Sequence, residues 1–174
     1  VKQNDGQVIK LKVSKGKVDL EGFEKSIGSD RVFVVMTFVN NETGIIEDIQ
    51  SIGKIIKSKN PESIFHVDGV QGFGKININL RSCCIDSFSF SSHKIHGLKG
   101  LGGLYIRKGL NIKPLLYGGE QQNRIRPGTE NTFAIVCFKK ACEDAFNNLD
   151  QNYEHVKSLK LKLVESMKSL GDYY

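Results

Sequence analysis

Val32-Phe33-Val34-Val35-Met36-Thr37-Phe38-Val39 is a nearly continuous run of apolar and β-branched residues. A strand buried on both faces has this composition, and such strands belong to parallel sheets. Downstream, Glu47–Ser58 places apolar side chains at Ile49, Ile52, Ile55 and Ile56. That spacing predicts an amphipathic helix. Acidic Glu47 and Asp48 at its start and Lys57 and Lys59 at its end suit the helix dipole, and Pro61 stops it. Ile64-Phe65-His66-Val67 then reads as a second short buried strand, and Ser87–Ser91 and Gly103–Arg107 as two more. Strand–helix–strand alternation implies βαβ units and an α/β fold.

The flanks are less regular. Residues 7–13 alternate apolar and polar over part of their length, which predicts a strand with one wet face. Asp19–Ile27 predicts a short helix capped by Asp19, with Leu20, Phe23 and Ile27 on one face. Asn131–Leu149 and Tyr153–Leu170 predict two helices at the end of the chain. In the second, Val156, Leu159, Leu163, Met167 and Leu170 make one apolar stripe. A helix pair here suggests a link into another domain.

Composition narrows the function classes. The chain has 174 residues, 39% of them apolar and 25% charged, which is a globular composition. Apolar runs such as Val32–Met36 are too short to span a bilayer, and residues 1–6 have no apolar signal-peptide core. Net charge is +6, but the lysines are dispersed and Trp is absent, so a solvated basic surface is favoured over nucleic-acid binding. Four cysteines make no disulfide framework. Reduced thiols in a cytosol-like compartment are expected, hence a cytoplasmic location. The chain opens on Val1 in what looks like a hairpin and ends just after a helix, which predicts a piece of a longer protein.

Five clusters stand where turns follow strands. In open α/β sheets ligands bind at the carboxyl ends of strands. Asn40-Asn41-Glu42-Thr43-Gly44 follows the first strand and taken alone is an ordinary polar turn. His66-Val67-Asp68-Gly69-Val70-Gln71 puts a carboxylate and an amide after a buried strand. That Asp is either solvated or paired with a cation, such as a ligand pyridinium. Ser87–Lys94 leads into Gly97 and Lys99–Gly103. A lysine after a strand, beside His and hydroxyls, suits Schiff-base formation; the alternative is a basic loop before a hairpin. Gly118–Gln122 is the fourth cluster and Arg124–Thr132 the fifth. Hydroxyls, an Arg and free N–H groups at a helix start make a phosphate cradle, while Thr129 or Asn131 serves equally as an N-cap. A lysine for an aldehyde, an Asp for a ring nitrogen and hydroxyls for a phosphate are what pyridoxal 5′-phosphate requires.

Four motifs carry a resemblance. Val39–Gly44, His66–Gln71, Ser91-Ser92-His93-Lys94-Ile95-His96-Gly97 and Arg126-Pro127-Gly128-Thr129-Glu130-Asn131 resemble, in order and spacing, the cysteine desulfurases. These are class V pyridoxal-phosphate enzymes of the aspartate-aminotransferase-like fold. The resemblance implies that Lys94 bonds the cofactor aldehyde and that Asp68 pairs with the pyridine nitrogen. It places Asn41 and Gln71 near the ring phenolate oxygen, and Ser91 and His93 at the phosphate. Thr129 would reach the phosphate of a partner subunit, implying a homodimer, and the role of Arg126 is left open. The implied reaction takes sulfur from L-cysteine, leaving alanine and an enzyme persulfide for a sulfur-acceptor or scaffold protein.

The sequence departs from the family pattern at Leu98 (usually Pro), Gly69 and Gly72 (usually Ala and Ser) and Gln122 (commonly Glu). The family's ring-stacking His and first phosphate-binding Thr would precede residue 1, and its persulfide cysteine would follow residue 174. Cys83, Cys84, Cys137 and Cys142 match none of these. His93, His96 and Cys83 lack a second ligand pair at metal spacing, so no metal is expected. The chain is thus expected to comprise a partial large domain, residues 1–148, and a connecting helix, 149–174, of an enzyme inactive without the missing parts. Rivals are a selenocysteine lyase or aminotransferase of the same class, and a non-catalytic scaffold.

Overall fold

A computed structural model describes residues 6–168 and Gly171. The chain divides into two compact units. The first comprises residues 1–71, 78–90 and 103–113, and the second residues 72–77, 91–102 and 114–174.

The first unit is built on a four-stranded sheet in the order β3-β4-β5-β6. Its strands are β3 (Phe33–Thr37), β4 (Ile64–Asp68), β5 (Ser87–Ser91) and β6 (Gly102–Ile106). The last residue of β5 and the first of β6 belong to the second unit. β3, β4 and β5 are parallel, with Val35 opposite His66 and Thr37 opposite Asp68, then His66 opposite Ser87 and Asp68 opposite Ser89. The Arg107 N–H donates to the Asp86 carbonyl and the Ser92 N–H to that of Leu101, a pairing that runs β6 antiparallel to β5. The α/β expectation with a mostly parallel sheet therefore holds, and the sheet is mixed.

One expectation is corrected. Val32–Val39 is not buried on both faces: Phe33 is 63% and Val35 56% exposed, while Met36 is buried. β3 stands at one end of the described sheet, and the face it shares with His66 and Asp68 is only partly covered. The opposite face carries the core, where Met36, Val67 and Phe88 stand side by side in register and are buried with Phe65, Ile52 and Ile56.

The connecting elements follow local chemistry. Helix α2 runs Ile49–Lys59, and Asp48 caps it by accepting from the Ser51 N–H at 3.0 Å and the Ser51 hydroxyl at 2.7 Å. Glu47, expected inside this helix, instead accepts from the Val18 N–H at 3.2 Å. Helix α1 is Leu20–Ser26, with Asp19 at the N-cap position but making no side-chain bond there. The strand expected over residues 7–13 is absent: only Val13–Ser14 (β1) pairs, with Lys17–Val18 (β2), across a turn in which Lys15 and Gly16 have φ of 49° and 82°. Two positive φ values match the hairpin turn that follows strand twist. β6 lies one residue earlier than expected.

At the amino end of β5, Asp86 is fully buried. Its carboxylate accepts from Lys57 Nζ at 2.6 Å, Arg107 Nε at 2.6 Å and the Phe65 N–H at 2.8 Å. Burial pushes this acid upward, but bonds from Lys57, Phe65 and Arg107 outweigh it and hold the pKa below the usual carboxylate value.

In the second unit, helix α3 (Thr132–Asn147) packs on a 3-10 turn, Ser92–Ile95. Phe73 stacks edge-on with Phe146 (5.3 Å between centroids) and lies near Phe138. Helix α4 (Leu149–Lys168) starts earlier than the expected Tyr153. Its stripe residues Val156, Leu159, Leu163 and Met167 are exposed, and Leu170 lies outside the described residues. All four cysteines are free thiols. Among the described residues no helix is long and apolar enough to cross a membrane.

Candidate functional site

In the first unit, β3 leads into the Asn40–Gly44 turn. Asn40 organises it: its Oδ1 accepts from the N–H groups of Glu42 and Thr43, both at 2.9 Å, and its own N–H donates to the Ile45 carbonyl. Asn41 is thereby left on the surface with an exposed side chain. A recess of about 590 Å³ borders this turn, lined in part by Val35, Thr37, Asn40, Thr43 and Glu47.

Asp68 ends β4 and is half-buried. Its Oδ1 accepts from the Val70 N–H at 3.0 Å, the turn bond typical of an Asp whose chain reverses. Its Oδ2 accepts no hydrogen bond among the described residues. Gln71 follows, also half-buried. Gly69 is held to β5 by its N–H, which donates to the Ser89 carbonyl at 2.9 Å.

Two residues earlier on β4, on the same face, stands His66, whose Nδ1 is 2.8 Å from Ser87 Oγ. Burial pushes the imidazole below its ordinary pKa, with Asp68 opposing. The sequence motif contained His66, but only the register reveals its partner. Side-chain alternation from Asp68 was the available signal.

In the second unit, Ser91 Oγ lies 2.9 Å from His93 Nδ1. Lys94 follows on the 3-10 turn and is half-buried. His96 closes that turn at φ 68°, and the Gly97 N–H donates to the Ser92 carbonyl at 3.0 Å. Two further residues here were given no role from sequence. Ser92 is fully buried, and its Oγ has no hydrogen-bond partner among the described residues. Lys75 is held below its ordinary pKa by burial and then by Lys94, and its neighbour Gly74 abuts Ile95 of the turn.

The Arg124–Thr132 segment is in this unit too. Asn131 is the N-cap of α3, accepting from the Ala134 N–H at 3.1 Å, which decides between the two cap alternatives. Thr129 is exposed beside Gly128, whose φ is 113° and whose N–H donates to Gln121 Oε1. Arg126 is spent on its own loop, donating to the Pro127 carbonyl at 3.0 Å. Arg124 pairs with Glu120. No group of three or more metal-ligating side chains occurs among the described residues.

The donor chemistry fits pyridoxal 5′-phosphate, unit by unit. The first offers a half-buried carboxylate with a free oxygen, suited to a pyridinium N–H. The second offers a primary amine beside a paired hydroxyl and imidazole, suited to an aldehyde and a phosphate.

A family model described as Aminotransferase class-V matches residues 1–174. A cysteine desulfurase of Nostoc sp. is 45% identical over 154 residues, covering 88% of this chain and 38% of the relative. A cysteine desulfurase IscS of Dictyoglomus turgidum is 39% identical over 160 residues, covering 91% and 40%. Among solved structures, a NifS-like protein superposes with a TM-score of 0.92 at 40% identity, covering 98% of this chain and 47% of that one. The chain thus spans less than half the length of these relatives.

Proposed function

This chain belongs to the aminotransferase class-V family, and on that premise we propose that it is the cofactor-binding part of a pyridoxal-phosphate-dependent cysteine desulfurase. Residues 1–148 would form part of the large domain and 149–174 the helix leading into the next. The substrate is L-cysteine and the products are alanine and a persulfide on an enzyme cysteine. A sulfur-acceptor or scaffold protein then receives the sulfur for iron–sulfur cluster or thio-cofactor assembly. The protein acts as a cytoplasmic homodimer.

The observation that carries this reading is Lys94 on a tight turn at the carboxyl end of β5, preceded by the bonded Ser91–His93 pair, in a chain about 40% identical to cysteine desulfurases. The bound cofactor supplies an electron sink for charge at the substrate Cα. The chain's residues would do the rest. Lys94 Nζ would hold the aldehyde carbon and take up the Cα proton. Asp68 would keep a proton on the pyridine nitrogen, and Asn41 and Gln71 would hydrogen-bond the phenolate oxygen. Ser91 and His93 would hold the phosphate, and Thr129 would reach the phosphate of the partner subunit.

The test uses the full-length protein. It should show a visible absorption band with bound cofactor and release alanine from L-cysteine, and Lys94→Ala should lose both. A band that survives in Lys94→Ala would sink the assignment. Alanine release from selenocysteine but not from cysteine would favour the lyase rival.

A further inference from the structure

β4 and β5 place a polar row on the partly open face of the sheet. His66 and Asp68 are two residues apart on β4 and so on one face; Ser87 and Ser89 are their register partners on β5. Along a strand, two residues span about 6.7 Å. Of the row, only His66 and Ser87 bond to each other, at 2.8 Å between Nδ1 and Oγ. Resting on the cofactor reading above, we propose that His66 is a positioning residue for Asp68, a proton-sensitive neighbour that the Ser87 hydroxyl holds in place and whose charge state sets how strongly Asp68 grips a cationic ring nitrogen.

The geometry explains the coupling. A neutral ring protonated on Nε2 accepts from the Ser87 hydroxyl at Nδ1, and one protonated on Nδ1 donates to it. The doubly protonated ring must donate at Nδ1, so there the hydroxyl accepts. β3 presents Val35 opposite His66, and β5 presents Ser87; neither titrates. Among the described residues Asp68 is the charge that acts on the imidazole, and burial opposes the charged form. With His66 neutral, the Asp68 carboxylate is the row's only charge, and a pyridinium has it alone. A protonated His66 competes for it. The linkage is reciprocal: a cation held by Asp68 makes His66 harder to protonate, and a proton on His66 weakens the hold. Across that separation, on a face partly open to water, the interaction is modest, roughly threefold in an equilibrium constant at a water-like dielectric.

Two measurements on the full-length protein test this. The first needs no cofactor. The His66 titration midpoint, read by NMR with 13C-labelled histidine, should fall by about half a unit in Asp68→Asn. A midpoint that stays put overturns the inference. The second measures the dissociation constant of pyridoxal 5′-phosphate at pH 7.5 and 5.5. The phosphate itself titrates near pH 6, so the variant comparison carries the result. His66→Asn keeps a hydrogen-bonding atom near Nδ1 but cannot take a proton. Its ratio of the two constants should be smaller than wild type, by roughly threefold at most, because a ring with a lowered pKa is only partly protonated at pH 5.5. Ser87→Ala, which frees the ring, should weaken binding at both pH values. Equal ratios in wild type and His66→Asn overturn the inference alone. A wild type that binds no cofactor at either pH overturns the cofactor reading beneath it, a result the first measurement distinguishes.

Discussion

The ring of Phe88 fills the space where a side chain on Gly69 would begin: a Cβ built on Gly69 would fall inside the ring. Phe88 is 1% exposed, and Gly69 follows Asp68 directly. The departure from the usual Ala at residue 69 is therefore matched by a large ring on the neighbouring strand. Gly69→Ala should destabilise the protein by about 1–3 kcal/mol through overpacking. Urea denaturation is the check. Phe88→Leu in the Gly69→Ala background should recover part of the loss, because the two positions share one space. Simple additivity of the two changes would count against that.

Asp86 should be the most sensitive acid of the first unit. It is fully buried and receives Lys57, Arg107 and the Phe65 N–H. Asp86→Asn removes the charge that Lys57 and Arg107 pair with, but both cations reach water, so a loss of about 1–3 kcal/mol is expected. The sign with pH follows from the lowered pKa. The unfolded acid, near 3.9, binds its proton first. The stabilisation is complete above that value and is lost as pH falls through the folded value. Acid melts between about pH 5 and 2 should be steeper for wild type than for Asp86→Asn. Parallel curves would contradict the assignment.

Asn131 and Thr129 should separate stability from cofactor chemistry. Asn131→Ala removes the α3 cap bond and should lose about 1 kcal/mol in a thermal or urea melt. Thr129 is exposed and makes no hydrogen bond among the described residues, so Thr129→Ala should leave stability within about 0.5 kcal/mol. On the functional reading it should weaken cofactor retention instead. Equal stability losses in both variants would put Thr129 in the fold rather than at a phosphate.

Much of this architecture was legible in the residues. The apolar run around Val35, the 3-4 spacing of Ile49, Ile52 and Ile56, the stop at Pro61 and the cap at Asn131 are local signals. The elements they predict were found within a few residues. The strand expected over residues 7–13 was not, because alternation alone cannot supply a pairing partner, and only Val13 and Ser14 find one. Glu47 left the helix for the same kind of reason: its carboxylate is claimed by a backbone N–H 29 residues away. The candidate site was legible as motifs, since Asp68, Ser91, His93 and Lys94 sit where strands end. The bond of His66 to Ser87, the unpartnered hydroxyl of Ser92 and the placement of Lys75 were not, because each depends on segments distant in sequence.

Sequence alone therefore determined the parallel βαβ core and which residue types stand at the strand ends, and its motifs carried the resemblance to the family. The core rests on composition and period, which are properties of the chain. Tertiary structure decided which face of β3 is buried, that Phe88 occupies the space over Gly69, that Lys57 and Arg107 both reach the buried Asp86, and that His66 and Asp68 lie on one polar row. Those outcomes depend on register and close packing between segments, where shifting a strand by one residue would exchange every inward and outward side chain.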